Sequence, residues 1–256
     1  MTFAEFMKEA SMILGLDLES YKQKRVKRRT YSFLRKNDIK NLKECLQGLK
    51  NDSKVRENFI NHVSINTSEF FRNPKSYQYL EKEVLPRLIK ERGSLKIWSA
   101  ACSNGSEPYT LAIILKEMNL SPRKFSILAT DIDTDIIQKA KKGIYNKRAI
   151  RNVPDKVMDK YFSIKNNSYH LKKEIINLID FKQQNLLVDK FPTQMDLILC
   201  RNFFIYLERD IKLALVKRLV DSLRKNGFLF LGNTEFIINP HQFNLKKTGS
   251  AFYLKE

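Results

Sequence analysis

The sequence predicts an α/β protein in which a doubly wound, mostly parallel sheet follows an all-α unit and carries a small β insertion. Three observations predict it. The first ~65 residues place apolar side chains only at helical spacing. From Leu95 onward, short apolar runs alternate with helical stretches, the pattern of parallel strands covered on both faces. The tail FNLKKTGSAFYLKE reads as a hairpin about Thr248-Gly249-Ser250, closing the sheet with an antiparallel pair.

Each element has its own signal. Phe3, Phe6, Met7, Ala10 and Ile13 line one helix face; Ile39, Leu42, Leu46 and Leu49 line another, with Asp38 as the expected cap. Val55, Phe59 and Val63 mark a further helix. Between them, residues 22–36 (KQKRVKRRTYSFLRK) carry eight Lys or Arg and no acid. As a helix, this segment gathers Val26, Thr30, Phe33 and Leu34 into one narrow stripe. The eight cations then take the rest of the circle, either as a solvated face or as a docking surface. Asn73-Pro74 opens the next helix, which runs through Tyr77, Leu80, Val84, Leu88 and Ile89 toward Gly93.

The predicted strands are LKIWSA (95–100), FSILAT (125–130), INLIDF (176–181), MDLILC (195–200) and FLFLG (228–232). Helices are expected over 108–118, 134–142 and 209–223, the last stopped by a left-handed Gly227. Residues 160–172 carry a second hairpin signature at Asn166-Asn167. The expected domains are 1–73, helical and basic, and 74–256, α/β, with the β insertion at about 155–178.

Composition bounds the function. The 256 residues include 47 Lys or Arg against 28 Asp or Glu, a net charge of +19. Such a surface attracts a polyanion: nucleic acid, an anionic membrane or an acidic protein face. No stretch reaches the ~20 apolar residues that span a bilayer, and MTFAEFMKEA carries charges where a signal peptide needs an apolar run. Cys45, Cys102 and Cys200 are scattered and the three His lie far apart, so a reducing cytosol is expected, with no disulfide frame and no metal site.

Four segments carry chemistry. In doubly wound sheets ligands sit beyond the carboxyl ends of the strands, at the switch point. The first strand-to-helix turn, WSAACSNGSEPYTLA (98–112), is lined by Ser99, Ala100, Ala101, Ser103 and Gly105, small enough for close approach. It is neither G-x-G-x-x-G nor a P-loop, so a nucleoside without phosphates suits it better, although such turns also occur without a ligand. The second strand ends in ATDID (129–133), where Asp131 is placed to accept ribose hydroxyls and Asp133 to cap the following helix. MDLILCRNFFIYLERD (195–210) puts Arg201 and Asn202 at the mouth of a central strand, with Cys200 read as core. INTSEFFRNP (65–74) offers Asn66, Thr67 and Ser68 as polar groups, Phe70 and Phe71 as anchors and Arg72 as a fork for a carboxylate, or else a helix cap followed by core aromatics.

Taken together, INTSEFFRNP, LKIWSAACSNGSEPYTLA, ILATDIDTDIIQKAKKGIY, NLL (185–187), DLILCRNFFIYL and NGFLFLGNTE resemble the CheR family of chemotaxis receptor methyltransferases, in the family's order and spacing. The basic N-terminal segment resembles the family's N-terminal domain. The resemblance implies a Rossmann-like class I S-adenosylmethionine-dependent methyltransferase fold; the protein is expected to be cytoplasmic, metal-free and monomeric. It implies glutamyl methyl ester formation on methyl-accepting chemotaxis receptors, with S-adenosylhomocysteine as the other product. By the same resemblance Asn66, Ser68 and Arg72 lie on the cofactor and the reacting centre, and Glu107 holds the cofactor's amino-acid end. Asp131 binds ribose, Asn185 and Leu186 line the adenine, Arg201 and Asn202 contact the cofactor, and Tyr206 lies near the transferred methyl. Arg72 and Tyr206 are the expected catalytic pair. The implied partner is the acidic face of the receptor's cytoplasmic helical bundle, docked by the basic helix 22–36, with no nucleic acid and no membrane insertion. A nucleic-acid methyltransferase is the rival that +19 favours, but base-methylating motifs and an RNA-binding module are missing. A non-catalytic scaffold is the other.

Overall fold

The computed structural model describes residues 1–63 and 68–256. The chain divides into two compact units: residues 1–66 with 204–213, and residues 67–203 with 214–256.

The first unit is helical. Helix α1 (Phe3–Leu14) begins in a capping box, Thr2 Oγ1 accepting from Glu5 N while Glu5 Oε2 accepts from Thr2 N, and stops at a left-handed Gly15. Helices α2 (Gln23–Lys36), α3 (Leu42–Asn51) and α4 (Ser53–Val63) follow. Their apolar faces meet around Phe6, Phe33 and Phe59, with Phe59 edge-on to both other rings. The cap of α3 is Asn41, not Asp38: Asn41 accepts from Glu44 N, while Asp38 sits left-handed (φ 55°) in the preceding turn. Ile39 therefore packs from outside the helix. Residues 204–208 join this unit through Lys22 N to Tyr206 O (2.8 Å), Glu208 N to Ser20 O (3.1 Å) and a Tyr21–Leu207 bridge.

Helix α2 buries Val26, Thr30, Phe33 and Leu34, the stripe its sequence predicts. Its cations do not all face water, which corrects the expectation of one broad surface. The Arg25 guanidinium lies 5.0 Å over the Tyr206 ring, and Arg29 donates through Nε to the His62 carbonyl at the end of α4 (2.6 Å). Lys24, Lys27, Arg28, Arg35 and Lys36 remain exposed.

The second unit begins with α5 (Pro74–Tyr79), which passes through a π turn at Leu80–Val84 into α6 (Leu85–Glu91). Pro86 has no N–H to give the helical ladder, and Leu85 N reaches back to Leu80 O instead. The strands are β1 (Leu95–Ala100), β2 (Phe125–Asp131), β3 (Ile144–Tyr145), β4 (Phe162–Lys165), β5 (Ser168–Leu171), β6 (Ile179–Gln183), β7 (Met195–Cys200), β8 (Leu223–Leu231), β9 (Leu245–Lys247) and β10 (Phe252–Lys255). The main sheet runs β6-β2-β1-β7-β8-β10-β9, parallel from β6 to β8 and antiparallel through β10 and β9, as the tail hairpin predicts. The order reverses between β1 and β7, which makes that edge the switch point. Helices α7 (Ser106–Glu117), α8 (Thr134–Lys142), α9 (Asp155–Tyr161), α10 (Lys173–Ile176) and α11 (Arg209–Ser222) complete the chain.

Three expectations shift. Ile176 ends α10 rather than opening a strand, because pairing with β2 begins only at Ile127–Ile179. Gly227 is not the helix stop. Strand β8 starts at Leu223 with an irregular register against β7, and the left-handed residue is Asn226 (φ 62°). Gly227 answers a different need, since a Cβ there would stand 2.9 Å from Arg224 O and 3.1 Å from Met195 O. The small sheet, ordered β3-β5-β4, recruits Ile144–Tyr145 from before the 155–178 segment. Its β4–β5 turn has Asn166 and Asn167 both left-handed (φ 47° and 56°), the geometry of a two-residue hairpin.

Candidate active site

The carboxyl ends of β1, β2 and β7 carry the buried polar residues that the sequence singles out. Segment 68–73 reaches them on an aromatic anchor. Phe70 is fully buried edge-on between Tyr145 and Phe162, its N–H bonds Ala149 O, and Phe71 N–H bonds Thr110 Oγ1. Phe71 and Asn73 then take left-handed conformations, which turn the chain at Arg72.

Arg201, just past β7, receives that turn. Its guanidinium donates to Arg72 O (2.9 Å), Asn73 Oδ1 (2.9 Å) and the Tyr77 hydroxyl (3.1 Å), and pairs with Glu107 at 3.5 Å. It stacks 4.5 Å over Phe230 and 5.2 Å over Tyr77. Glu107, in the first turn of α7, also accepts from Ser99 Oγ (2.8 Å). Burial raises the Glu107 carboxyl above its ordinary range; Arg201 and the Ser99 hydroxyl act to lower it, and Glu235 adds to the rise. Burial likewise pushes Tyr77 up, against Arg201 and Arg72.

A second cluster adjoins it. Asp131 accepts from Ser103 N (2.7 Å) and Asp133 N (3.1 Å), and its carbonyl accepts from Gln184 N (2.9 Å), which brings Asn185 and Leu186 beside the end of β2. Burial raises the Asp131 carboxyl to about 6 even though the loop amides favour its charge. Asp133 caps α8 by accepting from Ile136 N, as expected. The turn between β1 and α7 holds Ala101 and Ser103 left-handed (φ 58° and 50°), unusual for residues with a Cβ. Asn104 ties this turn to the anchored segment by donating to Ser68 O (3.1 Å).

The expected residues divide accordingly. Arg72, Glu107 and Arg201 belong to one connected network, and Asn202, next in the chain, bonds Glu235; Asp131, Asn185, Leu186 and, through Asn104, Ser68 lie in the adjoining cluster. Tyr206 is held within the helical unit, and Asn66 lies outside the described residues. Asn185 spends its side-chain oxygen on Leu187 N (2.9 Å). Cys102 and Cys200 are buried, with thiols pushed well above their ordinary value by burial. The sequence does not single out Tyr77 and Glu235 as site residues, and it offers Ser99 only as a small residue allowing close approach, not as the donor to Glu107. Tyr77 looks like one more apolar helix position, and Ser99 like a small strand residue.

Among the described residues, seven buried side-chain polar atoms lack a partner, and three of them, Ser103 Oγ, Ser106 Oγ and Arg201 Nε, border this site. Glu107, Asp131, Glu235 and Arg201 are each less than a tenth exposed. Carboxylates therefore outnumber the guanidinium, and unmet donors and acceptors stand beside them, an arrangement that suits a polar ligand with net positive charge. No group of three or more His, Cys, Asp or Glu among the described residues is arranged to hold a metal ion.

The sheet order and the site beyond β1 and β2 define a class I S-adenosylmethionine-dependent methyltransferase. The family described as CheR methyltransferase, SAM binding domain matches residues 66–252, and the CheR methyltransferase all-alpha domain matches residues 1–64. The chain belongs to the CheR methyltransferase family. It is 39% identical to a chemotaxis protein methyltransferase of Listeria innocua over 94% of this chain and 92% of that one. It is 33% identical to a chemotaxis protein methyltransferase of Borreliella burgdorferi over 87% of this chain and 83% of that one.

Proposed function

We propose that the protein esterifies specific glutamate side chains of chemotaxis receptors, and that it works in the cytoplasm as a monomer. The observation that carries this reading is the surplus of buried carboxylate beside unmet polar groups at the switch point. S-adenosylmethionine supplies a methyl already attached to a positively charged leaving group. Glu107 would hold the amino-acid end, Asp131 the ribose, Asn185 and Leu186 the adenine, with Asn66, Ser68, Arg201 and Asn202 completing the cofactor contacts. A glutamate acceptor is ionised at neutral pH, with a reference pKa near ~4.3, so no general base has to create the nucleophile. The buried, protonated thiols of Cys102 and Cys200 accord with that chemistry. Alignment then dominates the rate, Arg72 orienting the acceptor carboxylate and Tyr206 the methyl.

The test uses labelled S-adenosylmethionine with receptor cytoplasmic fragment or RNA, followed by alkali. Label released as methanol from the receptor fragment supports the reading. Base-stable label on either substrate, or no label at all, overturns it.

Asp131 gives a quantitative expectation. A charge-assisted hydrogen bond is worth ~1.5–3 kcal/mol, so Asp131→Ala should weaken cofactor binding by roughly one to two orders of magnitude by calorimetry. The bond needs the ionised carboxylate, so affinity in the unmodified protein falls as pH drops through about 6. The sign for folding is opposite: with its carboxyl raised above the unfolded value, Asp131 costs the folded chain stability as pH rises from about 4 to 6. Cofactor affinity that is flat from pH 7.5 to 5 would remove the assignment.

Docking is assigned to α2. Lys24, Arg28 and Arg35 share one strip opposite the buried stripe, and an acidic helical bundle is the surface that matches it. Exposed charges are screened within ~8 Å at physiological ionic strength, so receptor affinity should fall steadily as salt is raised. At ~0.2–1 kcal/mol per exposed pair, reversing both Lys24 and Arg28 to Glu should weaken binding by roughly threefold to tenfold or more, with cofactor affinity unchanged.

A further inference from the structure

We propose that Glu235 is a positioning residue of the site, its carboxylate clasping the diverging ends of β7 and β8 so that Asn202 is presented in a fixed left-handed turn. The inference rests on the reading of Asn202 as a cofactor contact. Strands β7 and β8 make their last paired rung at Cys200–Leu231. Beyond it the chains separate, and the next free amides, Asn202 N and Gly232 N, both donate to the same oxygen, Glu235 Oε2, at 2.7 Å each. One charged acceptor thus replaces the ladder bond that the divergence removes.

The surroundings are built for this contact. Glu235 is 5% exposed. Its own N–H bonds Gly232 O (2.9 Å), closing the tight turn 232–235, and Asn233 within that turn accepts from Ser76 Oγ of α5 (2.8 Å). A Cβ at position 232 would stand 2.6 Å from Glu235 Oε2, 2.9 Å from Asn202 Nδ2 and 3.0 Å from Asn202 N. Position 232 therefore has to be glycine for the clasp to close. Asn202 itself sits at φ 60°, a conformation open mainly to Gly and Asn, and it is the residue the clasp holds. Glu235 does not cap a helix in this turn, and residues 236–239 form no helix. Its carboxylate holds Asn202 through the backbone amide.

Glu235→Gln keeps an acceptor oxygen for the two amides, whereas Glu235→Ala removes it and Gly232→Ala forces the clasp apart with Glu235 intact. By calorimetry with S-adenosylmethionine on the full chain, both Ala variants should raise Kd by about tenfold or more, while Glu235→Gln stays within about threefold of the unmodified protein. Hydrogen exchange gives a second readout for any variant that folds poorly: the Asn202 and Gly232 amides lose protection in Glu235→Ala and keep it in Glu235→Gln. Unchanged Kd in both Ala variants, or Gln as damaging as Ala, overturns the proposal. If the Kd ordering holds but receptor fragments gain no base-labile methyl, the functional reading fails and the clasp stands. If the ester forms and binding ignores Glu235→Ala, the clasp fails alone.

Discussion

Arg201→Ala should cost about 3–5 kcal/mol of unfolding free energy, because it leaves a buried carboxylate without its counter-charge. The loss falls on several groups at once. Glu107 keeps only the Ser99 hydroxyl, Tyr77 loses the donor to its buried oxygen, and the Arg72 and Asn73 oxygens lose their anchor. The guanidinium also fills the space against Phe230 and Tyr77, so its removal opens a cavity. Urea unfolding measures the whole effect. Adding Glu107→Gln to Arg201→Ala should recover part of it, since an uncharged amide tolerates the site better than an orphaned carboxylate. A double variant no more stable than Arg201→Ala alone would mean that lost packing, not unpaired charge, sets the cost.

Arg72→Ala should act mainly on catalysis, reducing turnover by about 10²–10³-fold while the fold survives. Arg201 bonds the Arg72 backbone carbonyl, which alanine retains. The anchor is Phe70, two residues away, and alanine keeps both features. On the reading proposed above, the guanidinium orients an acceptor that needs no activation, so its removal appears in kcat with receptor fragment. Normal turnover in Arg72→Ala would take the residue out of the reacting centre. The contrast between two arginines whose atoms meet at 2.9 Å separates architecture from chemistry.

Much of the scaffold could be read from the sequence because local rules governed it. LKIWSA and MDLILC are β1 and β7 to the residue, and the α2 stripe is the one its spacing implies. Asp133 was legible as a cap and Asn166-Asn167 as a turn, since each acts on neighbours within a few residues. The misread positions depend on distant partners. Gly227 is crowded by Met195 O of the neighbouring strand as well as by Arg224 O of its own, and Ile176 is helical because β2 sets where β6 can begin pairing. Arg25 and Arg29 looked like two more surface cations until residues far along the chain, Tyr206 and His62, met them. In the site, the approach of Asp131 to the first turn follows from fold class. The Arg201 network does not, because it joins groups from positions 72 to 230 through contacts with no periodic signature.

The three cysteines, all buried and unpaired, make the molecule its own stopwatch. A thiol reagent can reach them only when the surrounding structure opens, so modification rates count those openings. Cys45 times the helical unit, while Cys102 and Cys200 time the turns after β1 and β7. A bound cofactor should slow the latter two clocks and leave the first running at its own pace.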